Sequence, residues 1–309
     1  MILKVRNLRK TFGSLIAVQN LSFDICPGDI IGFVGPNGAG KTTSLRILAT
    51  LDEPTSGDIE LDGQSIIDNP ELGREFIGFV PDNLPVQNDI NVHEYLDFFA
   101  RAYGIKGTKR VKLVEDLEAF TSLLDKREKL LGALSKGMKQ RVSIARALIH
   151  DPKFILMDEP AAGLDPRARI ELRELLKILS RQGKGILISS HILSELSEIC
   201  TSALIIEKGE LLRFGSIEEI TSNESVTRKL VIKPIGNLEE LSNFVVLYPG
   251  IENPVINGKA LEVDFSGNDA EAAELLKNLI RKDYQIIEFR FKQQNLETVF
   301  MNITKGEVQ

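Results

Sequence analysis

Cysteine is scarce in this chain. Cys26 and Cys200 are its only two, with no C-x-x-C pair and no zinc-type spacing. That excludes a disulfide framework or a structural zinc module, and predicts two buried thiols in a reducing cytosol. Long apolar runs are missing too. Ile30 to Val34 and Ala203 to Ile206 are typical in length, whereas a membrane span needs about 20 predominantly apolar residues. The N-terminus, Met1 to Val5, reads directly as a strand, without the regions of a signal peptide. Basic surplus is absent as well. The net charge is −6 and the pI about 5.4, which argues against a nucleic-acid partner. No strong motif repeats. What remains is an ordinary globular composition, 43% hydrophobic and 27% charged over 309 residues, long enough for one large and one small domain.

The larger part reads as strands alternating with helices. Phe23 to Ile25 and Ile30 to Val34 are apolar runs bounded by Pro27-Gly28-Asp29 and Gly35-Pro36. Thr42 to Leu51 carries leucines at helical spacing, and Ile77 to Val80 is a strand ended by Pro81. From about Asn91 to Ala147 the period is helical. Strand-like runs return at Phe154 to Met157 and Gly185 to Ile188, with helical Arg167 to Gln182 between them. This alternation implies a largely parallel sheet covered by helices. The expected domains are 1–220, with a helical subdomain over about 85–150, and 223–309. The second reads βαββαβ: strand Lys229–Lys233, helix Leu238–Phe244, strands Pro254–Ile256 and Ala260–Phe265, helix Asp269–Lys282 and strand Gln285–Lys292. That order suggests a small ferredoxin-like α+β sandwich. A last helix, Leu296 to Thr304, is free to pack on either domain.

Gly35-Pro36-Asn37-Gly38-Ala39-Gly40-Lys41-Thr42 matches G-x-x-x-x-G-K-[ST] at every fixed position, between an apolar strand and a helix. Such a loop turns backbone N–H groups inward toward phosphate oxygens, and the helix N-terminus adds partial positive charge. Lys41 is placed to reach the β- and γ-phosphates, Thr42 to ligate Mg²⁺, and Thr43 to donate a further hydrogen bond. These residues make the chain a P-loop nucleoside-triphosphate binder without separating an ATPase from a GTPase or a kinase.

Phe154 to Pro160 is an apolar strand ending in Asp158 and Glu159. A strand apolar on both faces belongs in a sheet centre, and acids at its end sit in the crevice where α/β proteins bind ligands. Asp158 suits the Mg²⁺ shell, and Glu159 suits a general base for the attacking water. A third apolar strand ends Ser189-Ser190-His191, which places His191 to bond the γ-phosphate and orient that water.

Leu134-Ser135-Lys136-Gly137-Met138-Lys139-Gln140-Arg141 lies between the phosphate loop and the acidic strand. It resembles the signature sequence of the ABC ATPase family, usually written L-S-G-G-Q. Ser135 and Gly137 match, while Lys136 and Met138 depart from the commonest form. Ser135 can also cap the helix that follows, whose N-terminus attracts phosphate. The resemblance extends over roughly residues 1 to 218. It implies that Phe12 stacks on adenine and that Ala162-Gly163-Leu164-Asp165 is the D-loop. It puts Asp82 where the family usually has a glutamine that touches Mg²⁺ and the water. Asn91 to Gly104 and the C-terminal Asn295 to Phe300 are similar to the single-cassette ATPase subunits of ABC-2 type exporters.

That resemblance implies ATP and Mg²⁺ as ligands and a dimer, expected as a homodimer. In it, Ser135 and Gly137 of one copy would bind the γ-phosphate held by the other. It also implies an integral-membrane permease as partner, and a cytoplasmic location on the inner face of the membrane. The region around residues 85 to 130 would transmit opening of the dimer, and Lys106 to Lys112 reads as a solvated loop. Two other readings stay open on the residues: an ATPase acting on ribosomes or DNA, and a degenerate regulatory binder that draws on Asp82, Lys136 and Met138.

Overall fold

The computed structural model describes residues 1–84, 89–221, 228–292 and 296–304. The chain forms two units, Met1–Ile220 together with Leu296–Gln309, and Thr221–Asn295.

The first unit runs β1 (Leu3–Phe12), β2 (Leu15–Ile25), β3 (Ile30–Val34), α1 (Lys41–Leu48), β4 (Ser56–Leu61), β5 (Gln64–Ser65), α2 (Pro70–Phe76) and β6 (Ile77–Val80). It continues α3 (Val92–Ala102), α4 (Gly107–Phe120), α5 (Lys136–Leu148), β7 (Phe154–Met157), α6 (Pro166–Arg181), β8 (Gly185–Ser190), α7 (Leu193–Ser197), β9 (Ser202–Glu207), β10 (Glu210–Ser216) and α8 (Ile217–Thr221). The sheet has ten strands in the order β5-β4-β1-β2-β10-β9-β3-β8-β7-β6.

The order explains the apolar runs. Strands β9, β3, β8, β7 and β6 pair in parallel, and the inner ones are buried on both faces. Ile31, Phe33, Phe154, Leu156, Leu187 and Leu204 point into one apolar layer, with Leu45, Ile47 and Leu48 of α1. Their neighbours Ile30, Val34, Ile155, Met157, Ile186 and Ile205 point into a second layer, against α3 to α6. Alternate residues of one strand serve opposite cores, so no polar residue fits along it. Each such side chain contributes ~1.5–3 kcal/mol by leaving water.

The other half of the sheet corrects the expectation of a largely parallel one. β5, β4, β1 and β2 form an antiparallel meander, and β10 pairs antiparallel with β9. Polar residues and bulges interrupt β1, with register shifts after Val5 and Leu8, so its two-residue period is broken in the sequence.

Helix α3 starts with a capping box: Glu94 N–H donates to Asn91 Oδ1 (2.8 Å) and Asn91 N–H to Glu94 Oε2 (3.0 Å). Three further expectations change. Lys106–Lys112 is not a loop; residues from Gly107 are the first turns of α4, where Arg110 pairs with Asp97 at 2.7 Å. Cys26 is exposed, and only Cys200 is buried; burial pushes the Cys200 thiol well above its usual range. The expected helical subdomain holds α3 to α5, and its residues 85–88 lie outside the described ones.

The second unit is β11 (Arg228–Ile235), α9 (Leu238–Val245), β12 (Ile251–Asn257), β13 (Ala260–Phe265), α10 (Asp269–Arg281) and β14 (Gln285–Phe291). This is the anticipated βαββαβ, with the antiparallel order β12-β13-β11-β14. Leu230, Ile232, Leu261, Val263 and Phe265 meet Leu241, Val245, Leu275 and Leu279 in a core of its own. The expected boundary 223–309 is corrected at its C-terminal end. Helix α11 (Leu296–Ile303) belongs to the first unit, because Val299, Phe300 and Ile303 join the second apolar layer there and the helix packs on α7.

Candidate functional site

The parallel strands β3, β7 and β8 end side by side, and the loops that leave them hold the chemistry. After Val34 the chain turns through residues 35–40 into α1. Gly40 has φ 98°, and a side chain there would put its Cβ 2.3 Å from the Ala17 carbonyl oxygen of β2. Only glycine satisfies both conditions. The Ala39 carbonyl accepts from Gly209 N–H at 3.1 Å, which ties the loop to the turn between β9 and β10. Lys41 bends back over the loop and donates to the carbonyls of Gly35 (2.7 Å) and Pro36 (3.1 Å). It is only 6% exposed. Burial pushes its ammonium below the ordinary lysine range, and Glu159 and Asp158 pull the other way. Thr42 is exposed, and Thr43 half-buried.

β7 delivers the acids. Asp158 N–H donates to the Val80 carbonyl of β6 (2.9 Å), and its buried carboxylate accepts from Ser189 Oγ at 2.6 Å. The same Ser189 oxygen accepts from Glu159 N–H at 2.9 Å. Glu159 stands at φ 47°, a left-handed conformation that costs a non-glycine residue ~1 kcal/mol or more. Its carboxylate faces two cations: Oε1 lies 4.0 Å from Lys41 Nζ, and Oε2 lies 2.7 Å from His191 Nδ1. Lys41, Glu159 and His191 thus come together from β3, β7 and β8. Ser189 was missed by sequence reasoning. The available signal was a polar residue in an otherwise apolar strand, fully buried in the fold.

The remaining expected residues lie around this cluster or apart from it. Phe12 is exposed at the end of β1, with Lys10 Nζ 4.9 Å above its ring. Asp82 follows β6 directly, and its Oδ2 accepts from Asn83 Nδ2 (2.8 Å). Ser135 caps α5 through Met138 N–H (3.3 Å), and Asp165 caps α6 through Ala168 N–H (2.8 Å). Ser135, Gly137 and Asp165 line one shallow cavity beside the first turns of both helices. Among the described residues no three His, Cys, Asp or Glu side chains gather as a metal cage.

Residues 18–162 match the ABC transporter family. The whole chain is 35% identical to Nod factor export ATP-binding protein I of Cupriavidus metallidurans, over 100% of this chain and 99% of that protein. The chain belongs to the ABC transporter ATP-binding family. It is 31% identical to the uncharacterized ABC transporter ATP-binding protein YxlF of Bacillus subtilis, over 98% of this chain and 99% of that one. Among solved structures, the dimeric bacterial ABC transporter cassette MJ0796 covers 69% of this chain and 98% of its own, at 27% identity and TM-score 0.63. A post-hydrolysis dimer of that cassette bound to ADP and Pi matches at 26% identity and TM-score 0.63, with the same coverage of both chains. As a member of this ABC family, the chain is an ATP-binding and ATP-hydrolysing transporter subunit, one that dimerises and works with a membrane permease. No described helix is long and apolar enough to cross a membrane.

Proposed function

We propose that this subunit powers an ABC-2 type exporter as a homodimer, on the cytoplasmic face of the membrane beside an integral-membrane permease. The cluster of Lys41, Glu159 and His191 carries the reading, because it places a base where the terminal phosphate of ATP must lie. The loop amides from Gly35 to Thr43 and Lys41 hold the phosphates, with Phe12 stacking on adenine. Glu159 takes the proton of the attacking water, and His191 orients its carboxylate from 2.7 Å. Release of the γ-phosphate then loosens what Ser135, Gly137 and Asp165 of the partner copy hold, and the dimer opens.

Mg²⁺ fits the donors present. Thr42 offers an exposed hydroxyl, and Asp158 a buried carboxylate whose Oδ1 alone takes a hydrogen bond from the described residues, with Asp82 next along the same crevice edge. Few protein ligands, all oxygen, suit a cation that completes its shell with phosphate and water. Bound there, the ion neutralises phosphate charge as it transfers.

A groove of about 440 Å³ supports coupling through the helical region. Arg46, Arg74 and Arg146 line it with Phe79, Phe99 and Tyr103. Pro81 is at its edge, and Val80 before it is hydrogen-bonded to Asp158. A permease segment seated there would press on the strand end that carries the acids. The resemblance to Nod factor export proteins over the full length, C-terminal unit included, supports export as the direction.

The test is Glu159→Gln. ATP binding should persist while turnover falls by about 10²–10⁴-fold; full turnover would sink the general-base role. Affinity capture of the tagged protein from membranes should bring down a multi-span membrane protein. Recovery of ribosomes or DNA in its place overturns the export reading.

A further inference from the structure

Lys136 is one of the two departures from the usual signature, and the fold gives it a defined place. Its side chain lies across Gly163, in the loop that leads from Glu159 to α6. A methyl group added at Gly163 would stand 3.1 Å from Lys136 Nζ and 3.4 Å from its Cδ. Gly163 has φ 69°, so the position is strained for other residues, and its bare backbone gives the lysine stem a surface to rest on. Beside it, a Cβ at Gly137 would meet Ala168 at 3.3 Å and Leu164 at 3.7 Å. The first turn of α5 is therefore packed onto the start of α6, and Lys136 is held at that junction.

The charge is unusual for its position. Helix N-termini favour acids, and α3, α9 and α10 have them there: Glu94, Glu239 and Glu240, Asp269 and Glu271. Helix α5 has no acid in its first turn and carries Lys136 and Lys139 instead. Lys136 has no ion pair among the described residues and is exposed. Its own chain supplies no countercharge for a cation that the helix dipole disfavours. A phosphate brought by a second copy would supply one.

We propose, on the basis of the composite dimer site above, that Lys136 is a further nucleotide-binding residue. In the ATP-bound dimer its ammonium neutralises the terminal phosphate held by the partner copy, beside the Ser135 hydroxyl and the first amides of α5. The lysine thereby makes dimer closure depend on the charge of that phosphate.

The experiment compares Lys136→Met, which keeps the stem over Gly163 and removes the charge, with Lys136→Arg, which keeps the charge. Both are made in the full chain carrying Glu159→Gln, and ATP-driven dimerisation is followed by sedimentation at low and high salt. For Lys136→Met the dimer dissociation constant should rise roughly tenfold or more, with a flatter salt dependence. Lys136→Arg should restore both. ATP affinity of the monomer should stay unchanged, and the melting temperature of Lys136→Met should hold or rise, because a cation has left a helix N-terminus. A Lys136→Met dimer as tight and as salt-sensitive as its parent overturns the proposal. If the Glu159→Gln parent itself forms no ATP-dependent dimer, the composite site fails, and the role of Lys136 fails with it.

Discussion

Two places in the first unit are built to meet phosphate, and they are built in opposite ways. At the ends of β3, β7 and β8 the polar groups are buried and already paired. Lys41 is held by two carbonyls and faces two acids, and Ser189 bridges Asp158 to the Glu159 backbone. At the start of α5 the groups are exposed, and the lysines there have no acidic partner. Burial explains the difference. A charge removed from water needs partners at all times, whereas a charge left in water can wait for one. The first arrangement suits a group that holds nucleotide continuously, the second a surface that engages and lets go.

Substitutions can break this contrast or sharpen it. Gly40→Ala should act most severely. It combines a left-handed φ with a Cβ 2.3 Å from the Ala17 carbonyl, a clash worth ~3 kcal/mol or more. ATP affinity, measured by calorimetry, should fall at least ~100-fold through distortion of the loop. Ser189→Ala comes next. Removing a fully buried hydroxyl that accepts one bond and donates another should cost ~1–3 kcal/mol in urea unfolding. It should also lower turnover about tenfold as Asp158 and Glu159 lose their common anchor. Ser135→Ala should cost only ~1 kcal/mol of stability, the loss of one helix cap, and leave monomer ATP affinity alone while reducing ATP-driven dimerisation. If Ser135→Ala destabilised the fold more than Ser189→Ala, the distinction between a buried, prepaired site and a solvated one would collapse.

How much of this was legible in the sequence depended on how local each feature is. The phosphate loop is eight consecutive residues between a strand and a helix, so pattern alone located it. The cap at Ser135 is equally local. The Glu159–His191 contact joins residues 32 positions apart and exists because β7 and β8 are neighbours; each residue was nameable, their hydrogen bond was not. Ser189 carried less signal still, since a serine in an apolar strand acquires meaning only once the strand beside it is known. The antiparallel half of the sheet escaped because the bulges of β1 scramble the alternation that marks a half-buried strand. The second unit was read correctly in element order, helped by the Asn257-Gly258 turn between β12 and β13.

The return of α11 to the first unit carries a practical meaning. The second unit is a parenthesis in the chain rather than an appendix: the first unit's core is interrupted after Ile220 and resumes at Leu296. Exchange of this unit between relatives therefore needs two junctions, one on each side of residues 221–295, so that Val299 still reaches its apolar layer. A chain cut at its far edge would lose an accessory's neighbour only in name, since the cut would unseal the ATPase itself.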